Sequence, residues 1–249
     1  MKTKSILTWL GASALTASVA IASLSNAAET TSADAQTAAD SNLIVAELFT
    51  SQSCSSCPPA EALFSELADH ENLLTMEWHV DYWDTLIHGG SKWKDVYSNQ
   101  AYTERQRQYN ASLRGTRGVY TPQAIVNGKL EDAGNRRHAV GEMLESANKL
   151  SIPVAIENNT VKIGASQSEV EVLFVRLLKQ HQTDVKGSEN KGRKLAGKNI
   201  VLEAEVLGQT GQQSTEFKLP SVGQGETCAV LIQSLDKGVG PVLGAAKCG

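Results

Sequence analysis

The feature that most constrains this chain is a pair of cysteines two residues apart, Cys54-Ser55-Ser56-Cys57, followed at once by Pro58 and Pro59. Upstream, Leu43 to Phe49 is apolar except for Glu47, the pattern of a strand buried on both faces. Downstream, two prolines suit the first turn of a helix, where a missing N–H is no loss. Ala60, Leu63, Phe64, Leu67 and Ala68 then recur at i, i+3, i+4, i+7 and i+8, an amphipathic helix. The cysteines therefore fall between a buried strand and a helix start. Two sulfurs so spaced reach bonding distance within one turn, and helix N–H groups and the positive dipole end favour a thiolate there. A thiolate attacks a disulfide, and a second thiol close by resolves the mixed product. An inert bridge across so few residues constrains the unfolded chain little. A zinc site usually needs two more ligands at close spacing, and no second CxxC or HxxxH supplies them. Disulfide exchange is the chemistry these residues favour.

The rest of the chain divides in two. Leu73 to Val80 reads as a second strand, and 81–99, aromatic and glycine-containing, as a long connection. Tyr102, Gln106, Tyr109 and Leu113 keep helical spacing. Pro122 opens a strand that ends in Asn127-Gly128, a tight-hairpin signal, and a last helix begins near Asn135 with Ala139, Val140, Met143, Leu144 and Ala147 on one face. The predicted order over 43–149 is β-α-β-α-β-β-α. From Ile152 seven short strands follow with no helix: 152–157, 160–163, 169–178, 199–207, 215–219, 227–233 and 241–246. The polar stretch 180–198 reads as an exposed loop. The expected fold is an α/β domain over 42–150 followed by an all-β, sandwich-like domain over 151–249.

The first residues resemble an export signal: Lys2 and Lys4, an apolar run from Ile6 to Leu24, then Ser25-Asn26-Ala27. Residues 28–41 read as a flexible leader. Removing residues 1–27 leaves 21 basic against 27 acidic residues, a net charge near −6. That balance argues against nucleic acid or an anionic membrane as partner, and no membrane insertion is expected once the signal is cleaved. Four cysteines in an exported chain read as two pairs. Cys228 and Cys248, in and after the last two strands, are expected to form a structural disulfide.

Several segments carry a family resemblance. VAELFTSQSCSSCPPAEALFSELA (45–68), HVDYWD (79–84), VYTPQAIVNG (119–128) and SENKGRKL (188–195) resemble a family of secreted bacterial thioredoxin-like proteins of unassigned function. The resemblance implies a thioredoxin-like fold for the first domain and an oxidoreductase outside the cytoplasm, periplasmic or secreted. Its partner is a protein or a small thiol, and it needs no cofactor. It also implies that Cys54 attacks and Cys57 resolves, and that Pro122 is a cis-proline facing them, with Thr121 offering backbone bonds to a bound peptide. Glu47 lies where such proteins carry a buried acid; serving the thiols as proton acceptor and pairing with an arginine both remain open. The dense stretch His79, Asp81, Asp84 and His88, with its tryptophans, is either a ligand set or aromatic packing. Arg105, Arg107, Arg114 and Arg117 either line an anionic site or are solvated helix arginines. Two alternatives to an enzyme stand beside the redox reading: a binding or assembly module in which the cysteines are incidental, and copper or zinc handling by Cys54, Cys57 and His79. No metal site is assigned.

Overall fold

The structure, a computed structural model, describes residues 43–88, 90–235 and 238–249; the export signal and leader read from the sequence lie outside them. The first half runs β1 (Ile44–Thr50), α1 (Pro58–Leu67), β2 (Leu73–His79), α2 (Gln100–Arg114), β3 (Gln123–Val126), β4 (Leu130–Ala133) and α3 (Arg137–Ser146). The second half runs β5 (Val154–Glu157), β6 (Thr160–Ile163), β7 (Val170–Asp184), β8 (Lys194–Thr210), β9 (Thr215–Lys218), β10 (Glu226–Ser234) and β11 (Val242–Lys247).

The expected architecture, an α/β thioredoxin-like domain followed by a β-sandwich domain, is not what these elements build. Eight strands form one mixed sheet in the order β11-β10-β7-β8-β2-β1-β3-β4, so four strands from each half of the sequence lie side by side in a single layer. The seam is the parallel contact of β2 with β8, at Glu77 opposite Ile200. Only β5, β6 and β9 stand apart, as a small second sheet. Packing shows why the halves do not separate. Val45 and Phe49 of β1, Met76 and Trp78 of β2, and Tyr102 and Tyr109 of α2 share one apolar cluster with Leu173, Val175, Val201 and Leu231 of the later strands. Splitting the chain near residue 150 would expose those side chains, each worth about 1.5–3 kcal/mol when fully buried.

The strand period of two explains the layers. Odd residues of β1 face the cluster that α2 covers, whereas Ala46 and Leu48 face Leu63 and Phe64 of α1 and Val140 and Met143 of α3. Likewise Leu173, Val175 and Leu177 of β7 join the α2 side, while Val170, Val172 and Phe174 pack with Val154, Val161 and Ile163 of the small sheet. A buried ion pair crosses the α2 side. Arg105 Nε donates to Glu47 Oε2 (2.7 Å), its NH1 to Gln233 Oε1 (2.9 Å) and its NH2 to Tyr109 Oη (3.0 Å), and Tyr109 Oη donates to Glu47 Oε1 (2.6 Å). One guanidinium so joins α2 to β1 and β10.

The polar stretch 180–198 is not an exposed loop. β7 and β8 continue past the core as a hairpin, paired from Gln180–Lys198 to Asp184–Lys194, and only 185–193 turns. Polar alternation there reflects a ribbon projecting beyond the sheet rather than absent structure. The predicted cap of the last helix also moves: Arg136 precedes α3, and Asn135 instead reaches the Ser56 carbonyl at 3.5 Å.

Candidate functional site

β1 ends at Thr50, and the loop 51–57 leads to α1, whose N-cap is Cys57 with Pro58 and Pro59 just inside the helix. Cys54 and Cys57 are joined in a disulfide. The loop folds as consecutive turns, the Cys54 N–H donating to Ser51 O (3.1 Å) and the Cys57 N–H to Cys54 O (3.2 Å). Both cysteines are buried, Cys54 1% exposed and Cys57 0%. The cover is the tip of the β7–β8 hairpin. Asn190 Nδ2 donates to the carbonyls of Gln52 (3.0 Å) and Cys54 (2.8 Å), Ser188 Oγ reaches Ser53 O (3.4 Å), and Glu189 Oε2 accepts from the Ser55 N–H (2.8 Å). That last bond, on a charged acceptor, holds the Glu189 carboxyl below its ordinary value. The hairpin tip also lies against the connection 80–99: a Cβ on Gly187 would run into the Lys92 carbonyl. Three of the four segments that carry the resemblance, the cysteine loop, HVDYWD and SENKGRKL, so meet in one place.

Beneath the loop is a buried polar cluster. Asp95 Oδ2 accepts from the Gln52 N–H (2.8 Å) and lies 2.7 Å from His79 Nδ1. Thr50 Oγ1 donates to Glu61 Oε1 (2.7 Å). Burial works against charge on His79, but the charge and hydrogen bond of Asp95, and Glu61 beyond it, outweigh burial and leave the imidazole raised. Asp95 is lowered: burial pushes it up, and His79 together with the Gln52 and Tyr97 N–H groups prevails. Glu61 is raised by burial, which the nearby His79 charge only partly offsets. Glu77 is raised well above the carboxylate range by burial and by Glu61. His181 drops to about 4, through burial and the His79 charge. Glu77, His79 and His181 bring ligand-type atoms within 4.8 Å of one another.

The residues expected from sequence are distributed as follows. Cys54 and Cys57 form the loop disulfide, and Cys228 and Cys248 form the second one, closing β10 onto the end of β11. The Thr121–Pro122 bond is cis. Pro122 is one residue from the Phe49–Gln123 pair, beside the end of β1 where the cysteine loop departs. The Thr121 hydroxyl accepts from Trp83 Nε1 (2.8 Å). Glu47 has both oxygens bonded to Arg105 and Tyr109; the buried acid on the cysteine side of the sheet is Glu61, in the first turn of α1. Arg114, at the end of α2, pairs with Glu131, and Arg117, beyond the helix, pairs with Glu104 at the surface. Asp81 and Asp84 hold their own connection, through Thr103 and Ser98. Of the set Cys54, Cys57 and His79, both sulfurs are in a disulfide here, and His79 groups with Glu77 and His181.

Sequence reasoning missed Glu61, Glu77, Asp95, His181 and Asn190. Glu77 had the same signal that singled out Glu47, a carboxylate within an apolar strand. Asn190 stands inside a segment that carried the resemblance. His181 had no signal while its stretch read as loop.

The chain belongs to the family described as "Protein of unknown function (DUF1223)", whose model matches residues 45–233. It is similar in structure to protein AGR_C_4864 from Agrobacterium tumefaciens, with 28% identity and a TM-score of 0.69 over 82% of this chain and 93% of that one. No curated protein matches. The two disulfides are what an oxidising, exported environment permits. Among the described residues, no helix is long and apolar enough to cross a membrane.

Proposed function

We propose that this chain exchanges disulfides with a protein or small-thiol partner through Cys54 and Cys57. The observation that carries the reading is the placement of the pair: a disulfide at the N-terminus of α1, where helix N–H groups favour the thiolate that exchange needs. In the accepting direction a partner thiolate attacks Sγ of Cys54, the Cys54–Cys57 bond breaks and Cys57 leaves as a thiolate. A second partner thiol then attacks the mixed disulfide and releases the Cys54 thiolate. Two electrons pass from partner to pair, and the reverse sequence runs the other way; the potential of the pair against its compartment sets the direction. Leu86, Ile87 and Val96, exposed apolar side chains on the connection that supports the cysteine loop, favour a polypeptide partner. The hairpin tip must lift for either sulfur to be reached.

Turnover tests this. The chain should catalyse dithiol-dependent reduction of a protein disulfide, or oxidation of a reduced one. Activity should vanish in Cys54→Ser and in Cys57→Ser and persist in Cys228→Ser/Cys248→Ser. Inability to reduce or oxidise any dithiol substrate would favour a binding module, and equal turnover with and without Cys54 would remove the pair from the reaction.

A further inference from the structure

Four polar atoms point at one another in the buried interior behind the cysteine loop. Both oxygens of Glu77, Nε2 of His79 and Nε2 of His181 are sealed from solvent and have no hydrogen-bond partner among the described residues. The Lys198 amide leans towards Glu77 without completing a bond. Glu77 and His79 are fully buried neighbours on β2, and His181 enters from the projecting β7–β8 hairpin. Buried polar groups are rarely left unpaired, since each such loss costs about 1–3 kcal/mol. Here four belong to three neighbouring residues, whereas the Glu47–Arg105–Tyr109 network is paired; the other atoms so left among the described residues, Trp78 Nε1, Tyr82 Oη and Gln106 Oε1, offer no comparable set of metal-ligand groups.

We infer that Glu77, His79 and His181 form a binding site for one divalent transition-metal ion of the zinc class. Two imidazoles and a carboxylate are the donor set of zinc and of related first-row ions, while calcium and magnesium prefer oxygen alone. Nε2 of His79 stands 4.0 Å from Oε2 of Glu77. Ligands about 2.0–2.1 Å from a tetrahedral zinc stand roughly 3.4 Å apart, so this pair must close by about half an ångström and the other two, which lie within 4.8 Å, by at most about 1.4 Å. The remaining position falls to the second Glu77 oxygen or to water.

Two further features suit such a site. His79 turns its other nitrogen to Asp95, at 2.7 Å, the carboxylate–imidazole arrangement that orients a metal-ligating histidine. Gly197, opposite His181 in the hairpin, leaves the space: a Cβ there would run into the Glu77 carboxylate and come within 3.0 Å of His181 Nε2. The cysteines take no part as ligands, so the site does not require the exchange reaction. Because Asp95 also accepts from the Gln52 N–H, the ion and the cysteine loop share one anchoring carboxylate.

The test uses the full chain with both disulfides intact, stripped of metal and titrated with Zn²⁺ against a chromophoric chelator, and with Co²⁺ by visible absorption. One equivalent should bind, with the intense visible bands of four- or five-coordinate cobalt. Cys54→Ser/Cys57→Ser should bind equally well. Asp95→Asn, a positioning change, should weaken affinity by roughly 10- to 100-fold, and His181→Ala by more, with far-UV circular dichroism showing the hairpin variant folded. Absence of saturable binding by the unaltered chain overturns the proposal whatever the variants do, leaving a proton- or water-filled cluster. Binding that survives His181→Ala, or that disappears with the cysteines, overturns it as well.

Discussion

Asn190 holds the cover over the disulfide, and its removal has a calculable effect. Asn190 is fully buried and donates to two carbonyls of the cysteine loop, at 3.0 and 2.8 Å. A hydrogen bond of this kind contributes about 0.5–1.5 kcal/mol net, so the pair contributes about 1–3 kcal/mol to the closed arrangement. Asn190→Ala should therefore raise the open population roughly 5- to 150-fold. With the sulfurs 1% and 0% exposed, reduction by an external thiol proceeds from the open form, and its rate should rise by the same factor. The assay incubates folded protein with dithiothreitol, quenches with an alkylating agent at timed intervals and counts labelled Cys54 and Cys57 by mass spectrometry. Cys228–Cys248, distant in sequence from the hairpin tip, serves as internal reference and should reduce at an unchanged rate. A variant rate equal to the unaltered one would refute the idea that this tip gates the pair. Parallel acceleration of both disulfides would show that the substitution merely loosens the whole chain.

Arg105→Met should destabilise the chain by about 3–5 kcal/mol, because it strands the buried Glu47 carboxylate. Urea unfolding measures this, and a loss under about 1 kcal/mol would contradict the pairing. Glu47→Gln should lower stability yet leave the exchange rate of the folded protein unchanged; slowed exchange would return Glu47 to the thiol chemistry. Opening the Cys228–Cys248 bridge by Cys228→Ser/Cys248→Ser should cost about 3 kcal/mol for a loop of 20 residues, read from the same denaturation curves. The Glu189 carboxyl is depressed by the Ser55 N–H bond, so its contribution to closure is present above the ordinary carboxylate range and is lost as pH falls through its lowered value. Reduction of Cys54–Cys57 by a phosphine, which works in acid, should accelerate as pH falls below the ordinary glutamate range in the unaltered chain and lose that acceleration in Glu189→Gln.

Much of the local structure was legible. The apolar run into the cysteine pair, the prolines after it, and Asn127-Gly128, both with positive φ, each fix a conformation within a few residues, and those elements fall where the pattern puts them. Five of the seven later strands match closely, whereas β7 runs on to Asp184 and β8 spans Lys194–Thr210, longer than expected. What failed was assembly. The strand pairing that joins the halves is a single one, Glu77 with Ile200, between residues whose local sequences carry no mark of each other. β2 is buried on both faces whether a partner strand lies beside it or not, so periodicity could not announce β8 as its neighbour. The same blindness hid the cluster. Glu77, Asp95 and His181 come from a strand, a connection and a ribbon, and they become a group only once the hairpin folds back over β2.

The exchange reaction is tested most directly by trapping. Cys57→Ala and Cys54→Ala proteins, incubated without reductant with the exported fraction and resolved on non-reducing gels, separate the roles of the two sulfurs. Cys57→Ala should accumulate mixed disulfides through Cys54, since no thiol remains to resolve them, and Cys54→Ala should capture almost nothing. Capture by neither variant, even with the Asn190→Ala change added to open the cover, would contradict exchange altogether.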